Sequence, residues 1–207
     1  MSKSTQKSKP SDDKVPDPTA RLAWIPALIN SVVTTIISIK FVYLYAFNYS
    51  LDYYVHKYDP LAIFAGYFFL AYLILDLVLG SIYYPKHIDP LSGYFHHIVY
   101  IGIFGSWLYY GMAIPACLTF FEEIPTVVLS LGHVYPQYRN DAIFGISFFF
   151  IRIVYHGYLV GVILVAKRLQ PLLLYPSYLA MLMHLYWFFT WFRKYGLPMI
   201  NKKINRI

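Results

Sequence analysis

The chain has 207 residues and a net charge of +7, with 58% hydrophobic and 13% charged residues. Soluble domains average about 25% charged and about 45–50% apolar residues, so this composition excludes an ordinary soluble protein and predicts an all-α integral membrane protein. At ~1.5 Å of rise per residue and ~30 Å of hydrocarbon to cross, the length accommodates about six helical spans with short loops and leaves no room for a soluble catalytic domain.

Residues 1–20 are rich in Ser, Lys, Asp and Pro, a composition that cannot bury enough apolar area to offset the entropy of ordering, and they read as a disordered cytoplasmic tail. They lack the apolar stretch of a signal peptide, so the first span is expected to direct insertion. A transmembrane domain over residues 21–195 follows, with spans at Leu22–Phe47, Leu61–Tyr83, Tyr94–Met112, Ile114–Val134, Ala142–Ala166 and Leu172–Trp191. The third and fourth run almost together, and a tight hairpin is expected at Gly111 to Pro115. Residues 196–207 form a second basic cytoplasmic tail.

Basic residues gather at the ends, with Lys3, Lys7, Lys9, Lys14 and Arg21 before the spans and Arg193, Lys194, Lys202, Lys203 and Arg206 after them. The positive-inside rule then places both termini in the cytoplasm, which requires an even number of spans. The positive charge accordingly reads as topology and attraction to anionic headgroups, not as a nucleic-acid footprint. Tyr83, Tyr84, Tyr109, Tyr110, Tyr135 and Trp191 fall at span ends, as an interfacial aromatic belt would. Asn48-Tyr49-Ser50 matches a glycosylation sequon but abuts a span, and is expected to be unoccupied. The single cysteine, Cys117, excludes an intrachain disulfide and reads as a small core residue.

Ionisable groups at membrane depth are costly, so they are the candidate functional residues: Asp76, His96, His97, Glu122, Glu123, Arg152, His156 and His184. His96 and His97 are adjacent and point ~100° apart on a helix, so one can face the interior while the other leans toward a neighbouring helix. They suit general base or acyl-acceptor chemistry, or else are interfacial histidines bonded to backbone. Glu122 and Glu123 precede Pro125, which removes a backbone donor and should kink the fourth span. Arg152 and His156 share one helical face, and the simplest account pairs Arg152 with Glu122 or Glu123. Asp76 and His184 each need a partner across helices. No short histidine cluster lies on one helix, so no metal site is expected.

Gly66 to Asp76, then His96-His97 about twenty residues on, then Glu123-Ile-Pro-Thr126 and the stretch from Arg139 to His156 resemble a TLC domain, the module shared by translocating-chain-associating, longevity-assurance and ceroid-lipofuscinosis proteins. The resemblance runs over roughly Arg21 to Tyr195. It implies a six-helix bundle around a cavity open to the cytoplasm, residence in the endoplasmic reticulum, and a role in lipid synthesis, sensing or transport. His96 and His97 match the paired histidines of ceramide synthases, one of which is taken to accept an acyl group. Asp76 and Glu123 match acidic positions of the other TLC proteins. Leu118 to Thr126 stands where ceramide synthases carry a His-Asp pair, and Asn30-Ser31-Val32 lacks the first-span histidine common in the family, so the chain resembles the non-ceramide-synthase members more closely.

Three functions follow. The first is a lipid-handling protein whose cavity, lined by Asp76, His96, His97, Glu122, Glu123, Arg152 and His156, binds a membrane lipid without a cofactor. The second is an N-acyltransferase joining acyl-CoA, as co-substrate, to a sphingoid base through His96 or His97. The third is a membrane scaffold in which the polar groups only hold helices together. Homo- and hetero-oligomers are both open, and no nucleic-acid partner is expected.

Overall fold

The computed structural model describes residues 18–48, 51, 57–165 and 170–204. Tyr49 and Ser50 of the sequon and most of the N-terminal tail lie outside the described residues. Among those residues the elements are helices and turns, with no strand. A short α1 (Pro18–Leu22) leads into α2 (Ile25–Asn48), and α3 (Pro60–Tyr83) runs back. After a 3-10 turn (Pro85–His87), a π-helical segment (Pro90–Phe95) continues into α4 (His96–Tyr109). The next long helix is α5 (Ala113–Thr119), a 3-10 turn (Phe120–Glu123) and α6 (Ile124–Val134). Then α7 (Asp141–Phe148), a π segment (Phe149–Tyr155) and α8 (His156–Val165) form one rod, followed by α9 (Gln170–Trp191), a further π segment (Phe192–Gly196) and α10 (Leu197–Ile204).

Local chemistry sets these boundaries. Asp59 is extended, with φ −141°, and its Oδ1 accepts from the amides of Leu61 at 2.9 Å and Ala62 at 3.2 Å, while Pro60 occupies the first turn where no donor is needed. Burial pushes the Asp59 carboxyl up, but the Lys40 ammonium at 2.9 Å and the two amides outweigh it and hold the group below its ordinary value. Asp89 repeats the device ahead of Pro90: the amide and hydroxyl of Ser92 and the amide of Leu91 hold its carboxyl low. Asn140 caps α7 through Ala142 and Ile143. The expected hairpin is present, with Gly111 at φ 71°, a left-handed conformation that a side chain would strain. Its helix resumes at Ala113, so Pro115 sits inside the first turn of α5.

Among the described residues five helices are long and apolar enough to cross a membrane: Thr19–Phe47, Pro60–Tyr83, Ala113–Val134, Asp141–Val165 and Pro171–Asn201. The expected third span is helical from Pro90 to Tyr109 but is not among the five. Pro90, Ser92, His96 and His97 dilute its apolar character. Its start also lies earlier than Tyr94, because Asp89-Pro90 supplies the cap. Where a kink is expected near Pro125, a 3-10 turn, Phe120–Glu123, precedes it, and Pro125 falls in the first turn of α6.

The helix α2 packs against α3, α5, the Phe120–Glu123 turn and α6, while α9 lies along α8. At the centre the rings of Phe69, Phe104 and Phe120 meet with centroids 4.6, 4.9 and 5.3 Å apart, a cluster of favourable aromatic geometry. Cys117 is fully buried, as expected of a core residue. The outer faces remain apolar, with Ile36, Ile39, Phe64, Ile82, Ile146 and Leu182 all exposed.

Candidate functional site

A cavity of about 380 Å³ lies among these helices. Its lining extends from Phe69, Tyr72 and Leu73 on α3 to Ile88, Asp89 and Ser92 in the connection after that helix, with Trp24, just before α2, and Ala27 of α2 alongside. Asp76, His96, His97, Glu123 and Arg152 all line it, so five of the residues singled out in the sequence converge on one space.

Two polar groups form its wall. In the first, Asp76 on α3 receives a hydrogen bond from the Tyr84 hydroxyl at 3.2 Å, and His97 Nδ1 stands 3.5 Å from Asp76 Oδ2 without forming a hydrogen bond. A proton on that Nδ1 faces the carboxylate and leaves Nε2 as the ring's lone pair. The neighbouring His96 turns the other way, its ring lying 4.1 Å from that of Tyr100 and 5.2 Å from that of Trp187 on α9. The two histidines thus face different helices, His97 toward α3 and His96 toward α9, while both line the cavity.

In the second group, the guanidinium of Arg152 is held at all three of its nitrogens. Its Nη2 donates to Glu123 Oε1 at 3.2 Å and Thr126 Oγ1 at 2.8 Å, its Nε donates to the Glu122 carbonyl at 3.0 Å, and Nη1 lies 3.5 Å from His184 Nε2. The pairing of Arg152 with Glu123 is therefore realised, and the Glu122 contact runs through its backbone. Arg152 sits within the Phe149–Tyr155 π segment. The wider turn there is of a kind often found at functional sites.

Behind Arg152 lies a second, tighter group around a space of about 30 Å³. Here the structure corrects the expectation of a single cavity: Glu122 and His156 do not line the larger space but this one, together with His184. His156 Nδ1 lies 2.8 and 2.9 Å from the two Glu122 oxygens, and its Nε2 lies 2.9 Å from the Ser177 carbonyl. All those partners accept, so the pair holds one proton between ring and carboxylate in addition to the Nε2 proton. His184 Nδ1 donates to the Arg152 carbonyl at 3.1 Å. Glu122, His156 and His184 offer three ligand atoms within 4.8 Å of one another, the one grouping among the described residues that could hold a metal ion. With one shared proton and the Arg152–Glu123 pair, every member is satisfied and the cluster is electrically neutral as it stands.

Compared with family models, curated proteins and solved structures, the chain matches none.

Several site residues escaped the sequence reading. Tyr84 was grouped with the interfacial aromatics, yet it is buried and bonded to Asp76, two helical turns earlier. Thr126 and Trp187 carried no ionisable signal. Trp191, also assigned to the belt, packs inward and donates to the Asp141 carbonyl at 3.1 Å. By contrast, Tyr83, Tyr109, Tyr110 and Tyr135 are exposed at helix ends, as a belt requires. Asn30 on α2 is 1% exposed and its carboxamide has no hydrogen-bond partner, a feature the sequence does not disclose.

Proposed function

We propose that this chain is an integral membrane protein that binds a lipid by its polar end within the cavity between α3, α4 and the Arg152 segment, in the manner the TLC resemblance implies. The carrying observation is the combination of an apolar exterior with a space of about 380 Å³ that holds Asp76, His97 and Glu123. Carboxylates at such depth are expensive to retain without a role. The volume lies within the range of about 300–1,000 Å³ typical of small-molecule sites. Large apolar residues exposed on the helices around the central Ala113–Val134 segment are what lipid contact accounts for, since soluble monomers rarely expose contiguous patches of that extent. Six spans, an endoplasmic-reticulum location and cytoplasmic termini belong to the same proposal and rest on the resemblance and the positive-inside rule.

The test is lipid mass spectrometry of the detergent-purified protein beside His97→Ala. One enriched lipid class, lost in the variant, supports the reading. Equal lipid content in both samples counts against the cavity. An acyl adduct on a histidine peptide would replace simple binding by acyl transfer.

A further inference from the structure

Resting on the cavity reading above, we infer that the bound lipid has an uncharged or cationic head able to donate a hydrogen bond, a hydroxyl or an ammonium, and carries no phosphate. The charged groups of the polar wall are mostly carboxylates. Asp76 and Glu123 each keep 14% of the side chain exposed to the space, and each has an oxygen beyond the single bonded one. Asp89 adds a third carboxylate near the surface end of the lining. Against three carboxylates stands one guanidinium, Arg152, whose Nε and Nη2 donors go to the Glu122 carbonyl, Glu123 and Thr126 and whose Nη1 lies toward His184.

A phosphate entering this space would have to take Arg152 from Glu123. That exchange leaves the Glu123 carboxylate buried without its counter-charge and brings the anion close to Asp76, both strongly unfavourable where water is scarce. An ammonium or hydroxyl meets no such conflict, because it donates to Asp76 and completes a carboxylate that otherwise has only the Tyr84 hydroxyl. His97 lies beside the same point, 3.5 Å from Asp76, with a ring nitrogen available as acceptor. The volume sits at the low end of known ligand sites, enough for a small head and part of one chain.

Three ligands that share a sixteen-carbon chain and differ only in the head test this directly: hexadecanol, hexadecylamine and hexadecyl phosphate. Binding of each to the full-length protein in neutral detergent micelles is measured by quenching of Trp24 and Trp187 fluorescence and by native mass spectrometry. The amine or the alcohol is expected to bind at least tenfold tighter than the phosphate. A preference for the amine over the alcohol identifies an ionic contact, and parity identifies a hydroxyl site. Asp76→Asn should narrow the ratio between amine and phosphate tenfold. Should that variant not fold, Tyr84→Phe, which frees a carboxylate lone pair, should widen the same ratio. Phosphate binding as tight as amine overturns the inference while leaving the cavity reading intact. Failure of all three ligands to bind overturns the cavity reading itself.

Discussion

Replacing Arg152 by Met removes the positive charge while keeping an unbranched chain of similar length in the space. The change strips one partner from Glu123 Oε1, one from Thr126 Oγ1 and one from the Glu122 carbonyl. Removing one member of a buried ion pair typically costs about 3–5 kcal/mol, because the other charge is left uncompensated. Glu123 retains 14% exposure to the cavity, which relieves part of that penalty, so about 3 kcal/mol is the expected loss. For a chain of this size each kcal/mol moves the midpoint by about 2–4 °C, giving a fall of about 6–12 °C. The assay is thermal unfolding in detergent, followed by gel filtration of the surviving monodisperse protein. The decisive comparison is Arg152→Met combined with Glu123→Gln, which removes the orphaned charge and should recover about 2 kcal/mol. A midpoint shift below about 2 °C for the single variant, or strictly additive losses in the double, would refute the claim that Arg152 is held as one half of an ion pair.

Other consequences follow from single contacts. A methyl group added at Gly145 would overlap ring carbons of Trp191, whose position is fixed by its bond to the Asp141 carbonyl. Gly145→Ala is therefore expected to cost about 1–3 kcal/mol, while Gly161→Ala, with open space around it, should be tolerated in the same unfolding assay. Asp59→Ala removes the cap of α3 and should cost about 1 kcal/mol at neutral pH. Because the Asp59 carboxyl is held low in the folded state, its contribution is complete above about pH 3.9 and disappears as pH falls through the lower folded value. The difference between wild type and variant should shrink over that acid window, and a difference that grows there would contradict the capping role. His156→Leu leaves Glu122 without its hydrogen-bonded partner and should reduce the yield of folded protein, whereas pairing it with Glu122→Gln should restore part of that yield.

Physical necessity made some of this legible in the sequence and chance proximity hid the rest. An isolated guanidinium in an apolar helix must find a carboxylate, so the approach of Arg152 to the Glu122-Glu123 pair could be read before any coordinates. The division of His96 and His97 followed from helical geometry alone. The split between two cavities did not, because Glu122 and Glu123 are adjacent and which of them faces the larger space depends on the 3-10 turn at Phe120–Glu123. Tyr84 looked like any aromatic at a helix end, since nothing local distinguishes a ring turned toward Asp76 from one turned toward headgroups. The start of the segment at Pro90 was missed for a different reason: the Asp-Pro capping signal was present, but attention to apolar runs favoured Tyr94. The same signal at Asp59-Pro60 marks the start of α3 beside Leu61, where the apolar run also begins.

The account stands most directly on where a lipid resides, and photo-crosslinking measures that. A diazirine-bearing sixteen-carbon alcohol or amine, irradiated with the purified protein and mapped by peptide mass spectrometry, should label peptides holding Trp24, Phe148 and Trp187, which line the cavity. Excess unlabelled ligand should suppress that labelling. Labelling confined to outward-facing positions such as Ile36, Tyr43 and Leu182, undiminished by competitor, would contradict it.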